Sequence, residues 1–160
     1  MNVFYLLQGT SPLRPCNAVA ALLTLDDGRY VMQLRDDNPD IFYPGHWGCF
    51  GGAIDSGETP YEALRRELKE ELELEIESAL EFVTFEFDFS TLGAGRVFRQ
   101  YFEVRVPDIT LGRLVLHEGA AVSAIPGADL MGSRKVAPYD AFAVWIHQSR
   151  HRLASAKSMR

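Results

Sequence analysis

Residues 51–72 read GGAIDSGETPYEALRRELKEEL. The reading of this stretch decides the fold. Its second half carries a complete helix start: Thr59 can cap, Pro60 suits the first helical position, and Glu62, three residues after Thr59, closes a capping box. At about 100° per residue, Leu64, Leu68 and Leu72 form one apolar stripe, and Glu67, Glu70 and Glu71 gather on the neighbouring arc. Arg65, Lys69 and Glu73 take the outer face. The helix is expected to press its leucines onto a core and to carry three carboxylates along its flank.

Helices rich in Glu and Lys are most often solvated surface. Like charges three and four residues apart nevertheless destabilise a helix by a few tenths of a kcal/mol per pair, roughly, unless a cation sits between them. A hard divalent cation is the natural compensation. Magnesium takes oxygen donors and keeps positions open for water and substrate phosphate, so a carboxylate cluster facing a cavity suits it. Upstream, Gly51, Gly52 and Gly57 let the backbone approach a ligand closely and can offer a carbonyl to the same ion. Arg66 lies eight residues after Glu58 and four before Glu70, so it can hold Glu58 and orient the carboxylates beside it; a surface ion pair with Glu62 is its plainer role.

Working outward, 160 residues with 47% hydrophobic composition predict one domain with a single sizeable core. Asn17–Leu25 reads as a buried strand, Asp26–Gly28 as a turn and Tyr30–Arg35 as the returning strand, followed by a loop over Asp36–Gly45. Leu80–Phe89 and Val97–Val106 form a second hairpin around the turn Thr91–Gly95. Tyr139–Arg152 reads as a terminal helix packed on the sheet, with Pro138 near its start. Strands on both sides of a central helix describe an α/β layered domain with a mixed sheet.

The net charge of -6 is uneven. Residues 1–133 carry 10 Lys/Arg against 21 Asp/Glu, and residues 134–160 carry 6 against 1. The acidic bulk argues against nucleic acid as a partner. Cys16 and Cys49 lie far apart outside any CxxC pattern, so neither a disulfide scaffold nor a zinc site is indicated; both are expected in the core. The opening MNVFYLLQGTSPLRP lacks a basic n-region and a long apolar run, and no stretch reaches the roughly 18 apolar residues of a membrane span. A cytoplasmic location without a membrane partner is the expectation.

Gly52, Glu58, Arg66-Glu67-Leu68, Glu70-Glu71 and Leu74, at spacings of five, seven, one and two residues, resemble the Nudix box of the Nudix hydrolases (MutT-like), Gly-x5-Glu-x7-Arg-Glu-U-x-Glu-Glu-x-Gly-U with U a bulky apolar residue. Eight of its nine specified positions match. The lead-in Trp47-Gly48-Cys49-Phe50-Gly51-Gly52 is similar to that of the family, with Phe50 where many members have proline. The one departure in the box is Glu73, at the place of the last glycine. That glycine ends the helix with positive φ in the family, so a non-glycine residue there costs roughly 1 kcal/mol or the helix ends differently.

The resemblance implies a Nudix-type α/β/α sandwich over residues 1–153, with a basic tail over 154–160. It implies magnesium-dependent attack of water on a nucleoside diphosphate linked to another moiety, giving a nucleoside monophosphate and the phosphorylated remainder; manganese is a possible substitute. By matching positions, the metal ligands are Gly52, Glu67, Glu70 and Glu71, and the catalytic set is Glu67, Glu71 and Arg66. Leu116–Gly119 lies where many family members carry the base, so Glu118 joins that set as a base or extra ligand, with His117 as an alternative. Arg35 can hold a phosphate, Gly51 allows close approach, and Trp47 is a stacking platform, as are Phe4, Tyr43, Phe85, Phe98 and Tyr101. A homodimer remains open. So do two other functions: a nucleotide sensor of the same fold without turnover, and an isoprenoid diphosphate isomerase with Cys49 as its thiol.

Overall fold

The computed structural model of the chain describes residues 8–154. Phe4 and residues 155–160 of the expected basic tail therefore lie outside the described residues. The elements run β1 (Ala18–Leu25), β2 (Tyr30–Leu34), β3 (Trp47–Gly48), α1 (Pro60–Leu72), β4 (Leu80–Phe89), β5 (Gly95–Val106), β6 (Ala121–Ile125), α2 (Gly127–Gly132) and α3 (Pro138–Ala154). Short 3-10 turns cover Ser90–Leu92 and Asp108–Arg113.

The sheet is mixed, in the order β3-β2-β1-β5-β4, with β6 paired to β2. Both expected hairpins are present, β1 with β2 and β4 with β5, each antiparallel. β1 runs parallel to β5 from Ala18 opposite Arg99 to Leu25 opposite Val106. Its other edge holds the glycine segment: Val19 and Ala21 donate their N–H groups to the carbonyls of Gly52 and Phe50, both at 2.9 Å. The turn ahead of α1 is thus fastened to the central strand.

β1 reads as a continuous apolar run because both its faces are covered. Val19, Ala21, Leu23 and Leu25 pack with Leu64, Leu68 and Leu72 of α1 and with Phe102 and Val104 of β5. Ala20 and Leu22 face the other way, toward Tyr30, Met32, Cys49, Tyr101 and Ala143 and Val144 of α3. This is the three-layer α/β/α sandwich, and all three leucines of the predicted stripe are fully buried. At about 25 cal/mol per Å² of apolar surface, each buried leucine stabilises the fold by roughly 2 kcal/mol.

Two expectations change. Cys49 is buried, but Cys16 is exposed, since it lies ahead of β1 and outside the alternation that turns side chains into either core. β3, β6 and α2 were not marked by periodicity, being two, five and six residues long. The two short strands form because β2 offers them pairing partners, at Gln33 opposite Gly48 and along Tyr30–Leu34 opposite Ala121–Ile125.

α1 starts as expected: the Thr59 side chain accepts from the Glu62 N–H, and the Glu62 carboxylate accepts from the Thr59 N–H. It ends with Glu73 in the left-handed region at φ 54° and ψ 24°. The Glu73 N–H donates to the Lys69 carbonyl and the Leu74 N–H to that of Leu68, so the helix closes as it would with glycine there. Glu73→Gly should therefore raise stability by about 1 kcal/mol, and Glu73→Val, β-branched at positive φ, should lower it. The urea midpoint measures both; a lower midpoint in Glu73→Gly would mean that the glutamate is not strained.

Candidate active site

The site is built where the glycine bend meets the flank of α1. Gly51, at φ 135°, sits so close to β1 that a Cβ there would lie 2.2 Å from the Val19 carbonyl oxygen. A Cβ on Gly52 would lie 2.6 Å from the Glu67 carboxyl group. Gly51, facing backbone, needs glycine for lack of space, whereas a side chain at position 52 would push the Glu67 carboxyl aside. The Gly51 N–H donates to Glu71 Oε2 at 2.9 Å, which ties the bend to the helix.

The three carboxylates have different surroundings. Glu71 is buried, only 4% exposed, Glu67 is largely covered, and the Glu70 side chain is 60% exposed. Burial pushes the Glu71 carboxyl up to about 8 against the pull of the Gly51 N–H, with the charges of Glu118 and Glu67 adding to the rise. Burial also raises Glu67, opposed by Arg66 and supported by Glu70 and Glu118. Glu118 therefore faces the same space from the loop before β6. That loop is docked on the end of α1: the His117 N–H donates to the Glu71 carbonyl at 2.9 Å, and its Nε2 meets Glu73 Oε1 at 2.8 Å. His117 is thus directed to the helix end.

Arg66 organises the acids. Its Nε and Nη2 make a two-point contact with Glu58 at 2.7 and 2.9 Å, Nη2 also reaches the Ala53 carbonyl at 2.9 Å, and Nη1 donates to Glu67 at 2.7 Å and Glu70 at 3.3 Å. The fork holds Glu58 down to about 2. Glu62 is engaged in the cap, so the surface pair Arg66–Glu62 is not the arrangement adopted.

Among the described residues no three carboxylate, imidazole or thiol groups already converge as a cation cage. Arg66 Nη1 lies between Glu67 and Glu70. The donor chemistry nonetheless fits a hard dication: oxygen groups only, two of them raised by burial and mutual charge, beside a carbonyl. The Gly52 carbonyl accepts one hydrogen bond from Val19, which leaves its second lone pair.

Other expected residues scatter. Arg35 Nε donates to the Phe42 carbonyl at 2.7 Å. Trp47 is covered by the Arg134 guanidinium at 5.8 Å, Tyr101 is buried, and Phe98 lines a different hollow with Asn17 and Arg96. Tyr43 and Phe85 share a cleft with Tyr139 and Phe142. Cys49 is buried and its thiol is pushed up by burial and by the Asp140 charge, which does not suit a reactive thiolate.

Arg99 and Asp140 escaped the sequence reading. Asp140, buried in the first turn of α3, accepts from the Cys49 N–H at 2.9 Å, from the Tyr101 hydroxyl at 2.7 Å and from Arg99 Nη2 at 3.2 Å. Arg99 also favours the charged form of Glu71, so its field reaches the acidic site. The available signal was a cation, Arg99, set among the aromatics of the strand Val97–Val106.

The sequence matches the NUDIX domain over residues 14–132. A 50-residue stretch is 46% identical to the nucleoside triphosphatase NudI of Escherichia coli O139:H28 (strain E24377A / ETEC), covering 31% of this chain and 35% of that protein. The same values hold for NudI of Shigella sonnei (strain Ss046). The match thus spans about a third of the length of these curated relatives. Among solved structures, the MutT protein from Methanosarcina mazei Go1 has a TM-score of 0.69 at 20% identity, over 89% of this chain and 99% of that one. The E. coli dihydroneopterin triphosphate pyrophosphohydrolase gives 0.63 at 22%, over 84% and 95%. These two likenesses establish the fold.

Glu71 makes a testable pH dependence. With its folded pKa raised to about 8, the carboxyl holds its proton in the folded state over a range where the unfolded chain has released it. Stability of metal-free protein should then be greatest below about pH 4.5 in this contribution and be lost as pH rises through about 8, by a few kcal/mol, roughly. Urea unfolding in EDTA across this range measures it. Glu71→Gln should flatten the slope and be the more stable protein at the alkaline end; an unchanged slope would show that Glu71 ionises normally.

Proposed function

We propose, from the premise that this chain belongs to the Nudix family, that it is a pyrophosphohydrolase acting on a nucleoside diphosphate linked to another moiety. The products are a nucleoside monophosphate and the phosphorylated remainder. The observation that carries this reading is the Glu71 carboxylate, buried against the Gly51 N–H, with Arg66 fixing Glu58, Glu67 and Glu70 around it. A surface helix has no reason to bury an acid that ionises with difficulty, whereas a phosphate-handling site does.

Glu67, Glu70, Glu71 and the Gly52 carbonyl would hold magnesium, with manganese as a substitute. Bound there, the ion would supply neutralising charge for the phosphate oxygens and acidify water. Glu67 or Glu71 orients the attacking water, and Glu118, exposed at the mouth, accepts its proton. Arg66 positions Glu67 and Glu70 through its planar fork, so lysine cannot replace it. Arg35 takes a phosphate of the substrate, and Gly51 serves by its close packing against Val19, which a Cβ would prevent.

Nucleoside triphosphates come first among substrates to try, since the relative with the 46% identical segment is named a nucleoside triphosphatase. The test is a panel of nucleoside triphosphates, nucleotide sugars, ADP-ribose and dinucleoside polyphosphates with magnesium or manganese, the products identified by mass. At least one should be cleaved at a pyrophosphate linkage. Glu70→Gln and Glu71→Gln should each lose about two or more orders of magnitude in kcat while their circular dichroism is unchanged. Silence across the panel would favour the nucleotide sensor, and full turnover in either variant would remove its residue from the mechanism.

A further inference from the structure

Beside the two buried acids Glu71 and Asp140, the described residues bury one amide side chain, that of Gln33, 3% exposed in β2. Its backbone is paired on both sides, with Gly48 of β3 and Val122 of β6. Strand alternation puts its side chain on the same face as Val31, which packs in the α1 layer. An amide buried there costs free energy unless it is bonded. The Gln33 Nε2 donates to the Glu118 carbonyl at 2.9 Å.

The chain around Glu118 is fastened on both sides. The Val115 and His117 N–H groups donate to the carbonyls of Leu72 and Glu71 at the end of α1, at 3.1 and 2.9 Å, and the Ala120 N–H donates to the Leu34 carbonyl at 2.8 Å. Gly119, at φ 89°, presses on Gln33: a Cβ there would lie 2.6 Å from Gln33 Cγ and 2.9 Å from the Leu34 carbonyl oxygen. Glu118 is thus bracketed by α1 before it and β2 after it, with Gln33 beneath. Glu118 itself is exposed, and its charge reaches both Glu67 and Glu71.

We propose that Gln33 is a positioning residue of the hydrolytic site: its amide fixes the backbone from which the Glu118 carboxylate faces Glu67 and Glu71. The inference rests on the pyrophosphohydrolase reading and deepens its assignment of Glu118. A neutral hydrogen bond of this kind contributes only about 1 kcal/mol to stability. Its larger consequence is for the exposed carboxylate. On an unheld loop, Glu118 would have backbone and side-chain freedom to lose each time it met the acids, whereas a fixed backbone leaves only its side-chain torsions to settle. Methionine would fill the same space beneath Gly119 without donating, so packing alone does not call for glutamine.

The test compares the whole wild-type protein with Gln33→Met, Glu118→Gln and the double variant. On a substrate that the wild type cleaves, Gln33→Met should lower kcat about tenfold with KM nearly unchanged, Glu118→Gln should lower it further, and the double variant should be no slower than Glu118→Gln. Losses that multiply in the double variant, or full kcat in either single variant, would overturn the proposal. Should Gln33→Met not fold, Gly119→Ala, whose Cβ meets Gln33 Cγ from the loop side, should show the same loss. Hydrogen exchange in EDTA reads the anchor without turnover: the amides of His117 and Ala120 should exchange about tenfold faster in Gln33→Met while those of β1 keep their protection. Unaltered exchange at both would overturn the proposal whatever the kinetics. A wild-type protein that cleaves nothing, with the loop freed in Gln33→Met, would defeat the enzymatic reading and leave Gln33 as the anchor of Glu118.

Discussion

One hydrogen bond, from the Gly51 N–H to the buried Glu71 carboxylate, joins the two parts on which the site depends. Gly51 belongs to a segment fastened to β1, and Glu71 belongs to the helix that seals one face of the sheet. The bond favours the charged form of Glu71. It does not cancel the penalty of burial, since Glu71 still resists ionising. The fold thus keeps an acid where ionising it is unfavourable, and the packing of three leucines beneath the helix maintains it.

Arg66 and Glu73 show how the rest of α1 serves that arrangement. Arg66 gathers three carboxylates and a backbone carbonyl with one guanidinium, so the acids keep a common orientation despite their repulsion. Glu73 takes up a left-handed conformation that glycine would adopt without strain, yet the helix closes at the same point. Its carboxylate then meets His117, whose backbone N–H is bonded to the carbonyl of Glu71. That closure places the loop bearing Glu118 against the end of the acidic flank.

The opposite layer is organised by a second buried acid. Asp140 ties α3 to β5 through Tyr101 and Arg99 and to the lead-in of the glycine bend through Cys49. A buried carboxylate with three donors is tolerable, where an unpaired one would not be. Through it the aromatic cleft and the acidic site share a frame, although one lies toward α3 and the other beside α1.

Much of this was legible in the chain itself, for a definable reason. The capping box, the leucine stripe, the two hairpins and the Arg66–Glu58 pair all follow from local chemistry or fixed helical spacing, where contacts depend on sequence separation alone. Cys16 was misjudged because burial depends on what packs above a residue, which composition does not say. β3 and β6 are too short to announce themselves and exist through their pairing with β2. Arg99 and Asp140 are 41 residues apart, and Cys49 is 91 from Asp140. Only the tertiary structure could bring them together, because long-range pairing of buried charges is decided by the stacking of layers and leaves no period in the sequence.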